Sequence, residues 1–419
     1  MTSVWRKNKT IRSLLLFLAV VGPGIITANV DNDAGGITTY SVAGASFGYR
    51  LLWIFIPMTL ALIVVQEMSA RMGAVTGKGL ADLIREKYGV KITLAVMLAL
   101  LLGNLGNTVS EFAGVAASTE ILGVSKYVAV PLGALLVWWM VVKGSYKIVE
   151  RVFLVASGLY LTYVASGWMA HPPWGSVLQQ MVTPSFSLKG DYLTMLIGLI
   201  GTTIAPWMQF YIQSAVVEKG IGVDQYKYSR LDVIVGCFMV DFVALFIVVA
   251  CAATIYAAGV HIETAEDAAL ALAPLAGHWA SILFSFGLLN ASLFSASILP
   301  LSTAYFVCEA FGFEAGIDKS WQEAPVFYWL YTFLIVVGAA IILIPHISLI
   351  QVMLWSQVVN GMMLPFILIF MLQLINNRDL MGNYVNSRGF NLVAWLTTGI
   401  MVVLTLLLVT ISLFPRLLA

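Results

Sequence analysis

Two aspartates, Asp31 and Asp33, stand in the stretch NVDNDAGGITTY (29–40), followed at once by the adjacent glycines Gly35 and Gly36. The run before them, SLLLFLAVVGPGIITANV, is apolar. A carboxylate beside loosened backbone in such surroundings offers oxygen to a hard cation, because carboxylate, carbonyl and water suit magnesium, calcium and manganese, whereas thioether and thiolate suit later transition metals. At the centre of a bilayer an aspartate costs about 2.5–3.5 kcal/mol on insertion scales, which makes it a functional-site hypothesis by default. Asp33 is therefore the expected anchor. Asp31 is read either as a second ligand or as a polar residue facing water.

A second interruption falls in YLTMLIGLIGTTIAPWMQFYIQSAVV, at GTTIAP (201–206). Pro206 deletes a helical hydrogen bond, and glycine weakens a helix by about 1 kcal/mol. Backbone freed at mid-membrane depth survives only where it is buried in protein or lines a wet cavity. A carbonyl near Ala205 and the side chain of Gln209 are the polar groups expected there. Met208 is read as packing unless the helix shifts register and brings its sulfur back. The stretch QVMLWSQVVNG adds the amides Gln351, Gln357 and Asn360.

The elements that carry these groups follow from composition. Of the 419 residues 60% are hydrophobic and only 10% charged, against about a quarter charged in a soluble domain. The chain reads as an all-α integral membrane protein. With about twenty residues needed per crossing, eleven spans are expected near 13–45, 51–72, 92–120, 127–143, 149–169, 192–216, 231–258, 279–311, 326–345, 348–375 and 392–414. The first and sixth are broken. Interrupted segments five spans apart point to inverted repeats with a site at the bilayer midplane. The expected division is an N-terminal segment 1–12, a first repeat 13–169 (helices 1–5), a second repeat 190–375 (helices 6–10) and a peripheral eleventh helix 392–414.

Eighteen of the 22 Lys and Arg residues fall on one side of this arrangement, leaving Arg50, Lys126, Lys189 and Arg416 on the other. The positive-inside rule places the N-terminus in the cytoplasm and the C-terminus outside the cell membrane. A formal net charge of +1 gives no field for nucleic acid. No obligate protein partner is evident beyond the lipid bilayer. Cys237, Cys251 and Cys308 sit in apolar helix as small buried hydrophobes. No cleaved leader is expected.

The run GPGIITANVDNDAGGITTYSVAGASFGYRLLW, continuing into QEMSARMGAVTGKGLADLIREKYG, resembles the start of the Nramp (natural resistance-associated macrophage protein) family. QSAVVEKG after the sixth-helix AP, and SQVVNGMMLPF in the tenth, match as well. The resemblance implies a divalent-metal transporter with a leucine-transporter-like fold, 5+5 inverted repeats and eleven transmembrane helices, helices 1 and 6 unwound. It implies metal-site positions at Asp33, Gly36, Ala205, Gln209, Gln357 and Asn360. For Gln357 and Asn360 the competing reading is an interhelical amide contact.

Departures from the family pattern carry further meaning. The asparagine of the first-helix motif is Gly36 here, the methionine before the sixth-helix proline is Ala205, and the histidine after it is Trp207. Of a third-helix acidic pair only Glu111 remains, beside Thr108, and the ninth helix has no arginine. These substitutions resemble the Nramp-related magnesium transporter branch. They remove two side chains from the pocket and leave hard oxygen donors, which suits an ion that sheds water reluctantly.

Transport of Mg2+, and also of Mn2+, as a largely hydrated ion by alternating access is the resulting expectation. The ion is cargo, and no cofactor is expected. None of the four histidines falls at the midplane, and Glu111, Glu67 and Asp241 are expected mainly as structural polar contacts, so obligatory proton coupling is not expected. The rival reading is a proton-coupled Mn2+/Fe2+ importer. A sodium-coupled organic-solute carrier fits Asp33 poorly. An intramembrane enzyme would need a nucleophile and base or a metal cluster, and the chain has no His-Glu-x-x-His helix.

Overall fold

The computed structural model describes residues 23–143, 155 and 157–413, and among them every regular element is a helix. The expected N-terminal segment, the start of the first span, the start of the fifth and the extreme C-terminus lie outside the described residues. Each expected span contains helix. The first is split into α1 (Pro23–Asp31) and α2 (Ala34–Phe47). Next come α3 (Phe55–Thr76), α4 (Leu80–Ile121), α5 (Lys126–Val142) and α6 (Leu161–Met169). A short helix α7 (Trp174–Val182) precedes the split sixth span, α8 (Gly190–Thr203) and α9 (Pro206–Glu218). The remainder is α10 (Tyr226–Cys251), α11 (Ala280–Phe311), α12 (Pro325–Ile342), α13 (Leu349–Ile375) and α14 (Arg388–Leu413).

Local chemistry explains where these helices stop. Asp33 adopts extended backbone (φ −74°, ψ −176°) and its carboxylate accepts from the Gly36 N–H at 2.6 Å. An aspartate at this position satisfies a donor that the first turn of α2 leaves unpaired. The acid thus makes the break as well as occupying it. In the sixth span the helix ends at Ile204 (φ −120°, ψ 58°), Ala205 is extended, and Pro206 opens α9. Proline is tolerated at a first helical position because its missing N–H would have no partner there. Within α4, Gly89 (φ 77°, ψ 173°) is non-helical and divides an initial stretch from the span proper.

The two split spans form the centre of the bundle. α8 packs on α2 and α13, and α9 on α1, α3 and α11. An eighteen-residue stretch of the sixth span is 100% buried, against 28% for α14. Eight of the described helical stretches are long and apolar enough to cross a bilayer, with α5 shorter. Outward apolar side chains such as Leu102, Leu132, Trp139, Trp329 and Leu392 are exposed, which is the surface a bilayer covers. The chain is a multi-pass membrane protein.

Candidate metal site

The site is built where the two breaks meet. Asp33 is buried and its carboxylate touches two elements: the Gly36 N–H of α2, and the Glu111 carboxyl group of α4, with which it is directly hydrogen-bonded. Glu111 also accepts from the Ala34 N–H at 3.3 Å. Two carboxyl groups sharing a hydrogen bond hold a proton between them.

Gly36 is at the crowded centre of the junction. A Cβ built there would lie 2.5 Å from the Asp31 carbonyl oxygen, 3.1 Å from the Thr202 hydroxyl and 3.3 Å from the Asp33 carboxylate. Only a residue without a side chain lets these three oxygens approach one point. Thr202 belongs to the last turn of α8, and its neighbour Thr203 shares a hydrogen bond of 2.8 Å with the Tyr40 hydroxyl of α2. α1 and α8 both end here, so the carbonyl-bearing, partially negative ends of two half-helices face the junction, an electrostatic setting that favours a cation.

The tenth-helix amides belong to a polar row. Asn104 donates to Thr303 (2.8 Å), Asn107 to Asn104 (3.2 Å), Asn107 and Asn360 exchange hydrogen bonds (3.1 and 2.9 Å), and Asn360 donates to Gln357 (3.0 Å). At the end of the row the Gln357 Nε2 has no partner and lies in the space a Cβ on Gly35 would take. Gln357 thus reaches the first break, but with its amide nitrogen leading. Its oxygen is engaged by Asn360, and the amide must turn over to offer that oxygen to an ion.

The remaining expected residues sit on another flank. The Ala205 carbonyl accepts from the Met208 N–H at 3.2 Å and from Gln209 Nε2 at 3.4 Å. The Gln209 oxygen accepts from Ser69 of α3 at 3.3 Å. The Met208 sulfur accepts from Gln66 Nε2 at 3.6 Å. The structure therefore brings Asp33, Gly36, Gln357 and Asn360 together, and directs Gln209 and Met208 toward α3.

Three further residues border these groups. Thr202 is legible in the sequence only as part of a break. Asn107 is an amide in an apolar helix, with no sequence signal that decides whether it lines the cavity. Glu111 was read chiefly as structural, although an acid in a span carries the same warning as Asp33. Glu67 is paired as expected, with Arg71 at 3.1 Å. Asp241 is buried beside the Thr59 hydroxyl of α3, and among the described residues no ion pair reaches it. Among the described residues no three His, Cys, Asp or Glu side chains converge as a metal cluster. An ion here meets at most a carboxyl pair, backbone, hydroxyl and amide.

The model of the natural resistance-associated macrophage protein-like family matches residues 24–410. The chain belongs to the Nramp family. Its relatives include the divalent metal cation transporter MntH of Deinococcus radiodurans, 26% identical over 408 residues that cover 94% of this chain and 89% of the relative. MntH of Bacillus subtilis is 24% identical over 422 residues, covering 96% and 94%. Among solved structures, the Eremococcus coleocola manganese transporter superposes with a TM-score of 0.73 at 23% identity, covering 98% of this chain and 88% of that one. The shared fold is leucine-transporter-like. These relatives are named as divalent metal cation and manganese transporters.

Proposed function

We propose that this Nramp protein mediates membrane uptake of Mg2+, with Mn2+ also accepted, as a largely hydrated ion moved by alternating access. The observation that carries the reading is the donor set around Gly36. The Asp33 carboxylate, the Asp31 carbonyl and the Thr202 hydroxyl are all hard oxygen, and Gln357 adds an amide able to turn. The Met208 sulfur is engaged by Gln66 and the Met353 sulfur by the Thr38 hydroxyl. Carboxylate, carbonyl and hydroxyl suit magnesium and manganese. Magnesium commonly keeps several waters while held by one or two carboxylates. At Gly36 the space of the missing side chain is taken by the converging oxygens rather than left open.

Uncoupled transport is sufficient on energetic grounds. A membrane potential supplies about 2.3 kcal/mol per charge per 100 mV, so a divalent cation gains about 4.6 kcal/mol on entry. At about 1.4 kcal/mol per decade, that supports roughly three decades of accumulation. The four histidines, His171, His261, His278 and His346, all lie outside α1–α14. The proposed frame keeps a first repeat of 13–169, a second of 190–375, the N-terminus in the cytoplasm and the C-terminus outside.

A second reading, proton-coupled Mn2+ import, is favoured by the Asp33–Glu111 hydrogen bond, since an ion arriving at Asp33 would expel the shared proton. Proteoliposomes with a pH dye inside decide between the two. Mg2+ entry at a neutral lumen supports the first. Acidification in step with metal entry, with iron and cadmium competing strongly, replaces it with the second.

A further inference from the structure

The polar row that ends at Gln357 joins three helices through five buried side chains: Asn104 and Asn107 of α4, Gln357 and Asn360 of α13, and Thr303 of α11. Every amide contact in it sets a nitrogen against an oxygen. An amide presents donors on one side and an acceptor on the other. Turning any one of the four alone would therefore face nitrogen with nitrogen or oxygen with oxygen and strand buried polar groups. Only two arrangements satisfy the row: the observed one, and one in which all four amides are turned over.

The reversal can end only at Thr303, because a hydroxyl both donates and accepts. In the observed arrangement the Thr303 hydroxyl accepts from Asn104 at 2.8 Å and donates to the Leu299 carbonyl at 3.0 Å. In the reversed one it donates to the turned Asn104 and gives up the Leu299 carbonyl. Reversal thus loses one hydrogen bond in α11. At the other end it replaces the Gln357 nitrogen, which has no partner and points at Gly35, by the amide oxygen. Without a cation the row rests with nitrogen forward; a cation at the first break favours oxygen forward.

We propose that this row is a two-state switch that sets cation affinity, with Asn104, Asn107 and Thr303 as positioning residues that act on the ion through the orientation of Gln357. The inference rests on the proposed function for placing the ion beside Gln357.

The test is the Mn2+ affinity of the purified full chain, read by calorimetry. Thr303→Val removes both hydrogen bonds of the hydroxyl. It leaves Asn104 with an orphaned N–H in the observed arrangement but only an underused carbonyl in the reversed one, the defect that buried backbone groups tolerate better. The variant is expected to bind Mn2+ about fivefold more tightly than wild type, the worth of about one hydrogen bond, and Thr303→Ser to bind as wild type does. Asn104→Leu cuts the row one residue nearer the ion and is expected to tighten binding too, which serves if Thr303→Val does not fold. In a Gln357→Glu chain the carboxylate offers oxygen at both ends and needs no turning, so adding Thr303→Val is expected to change nothing. A role in packing alone would not raise affinity, nor make the rise depend on residue 357. Equal or weaker binding in either folded variant, or a gain that persists with Gln357→Glu, would overturn the switch. Loss of the ion in Asp33→Asn with wild-type binding in Thr303→Val would overturn the switch and leave the metal site standing, whereas a wild-type chain without Mn2+ affinity would bring down both.

Discussion

Asn107 of α4 and Asn360 of α13 exchange two hydrogen bonds, at 3.1 and 2.9 Å, each side chain both donating and accepting. This reciprocal pair ties two spans together and, through Asn360, fixes the amide that reaches the first break. Removing one partner leaves the other buried and unpaired, a loss of about 1–3 kcal/mol. Asn107→Ala is expected to lower the thermal midpoint in detergent, and Asn107→Ala/Asn360→Ala to cost clearly less than the sum of the single changes. Additive costs would show that the pair is not a unit.

Asp33 has two jobs that one substitution separates. Asparagine caps helices about as well as aspartate but carries no charge. Asp33→Asn should therefore keep the thermal midpoint close to wild type while Mg2+ affinity, read by calorimetry, falls on the order of a hundredfold, about 2.8 kcal/mol. Equal loss of folding and binding would reduce Asp33 to a cap.

Gly36 tests how tightly the junction is closed. The methyl of Gly36→Ala would sit 2.5 Å from the Asp31 carbonyl, too near for backbone to tolerate without movement. Proteoliposomes carrying this variant are expected to take up Mg2+ at least about tenfold more slowly, an extra barrier of about 1.4 kcal/mol. Wild-type rates would mean that the breaks do not meet at Gly36.

Ala205 addresses selectivity. Ala205→Met would place a thioether at the second break, and sulfur favours softer ions. Competition assays should show Cd2+ blocking Mn2+ uptake better in the variant than in wild type. An unchanged order of competition would place Ala205 away from the ion's path.

Arg71 anchors the end of α3. It pairs with Glu67, donates to the Tyr384 and Val385 carbonyls at 3.1 and 3.2 Å, and contacts Asn386. Arg71→Lys cannot reproduce that fork, and Arg71→Ala leaves Glu67 buried without its base, at a cost of about 3–5 kcal/mol. The thermal midpoint is expected to fall in the order wild type, Lys, Ala.

How much of this was legible beforehand varied with the kind of interaction. The breaks at Asp33 and Pro206 were readable because capping and proline chemistry act over three or four residues, and the spans because bilayer thickness sets their length. Glu67 and Arg71 are four residues apart on one helix, so their pairing was local too. Asn107 and Asn360 are 253 residues apart, and nothing in either neighbourhood announces the other.

By itself the sequence determined a polytopic helical chain, two unwound segments, an acid at the first, and the loss of side chains at Gly36 and Ala205. Only the tertiary structure decided that Glu111 shares the Asp33 hydrogen bond, that Gln357 arrives with its nitrogen leading, and that Gln209 and Met208 turn to α3. The reason is physical. Helix ends and membrane spans are set by interactions within a few residues, whereas the orientation of a buried amide or carboxylate is set by whichever helix packs against it.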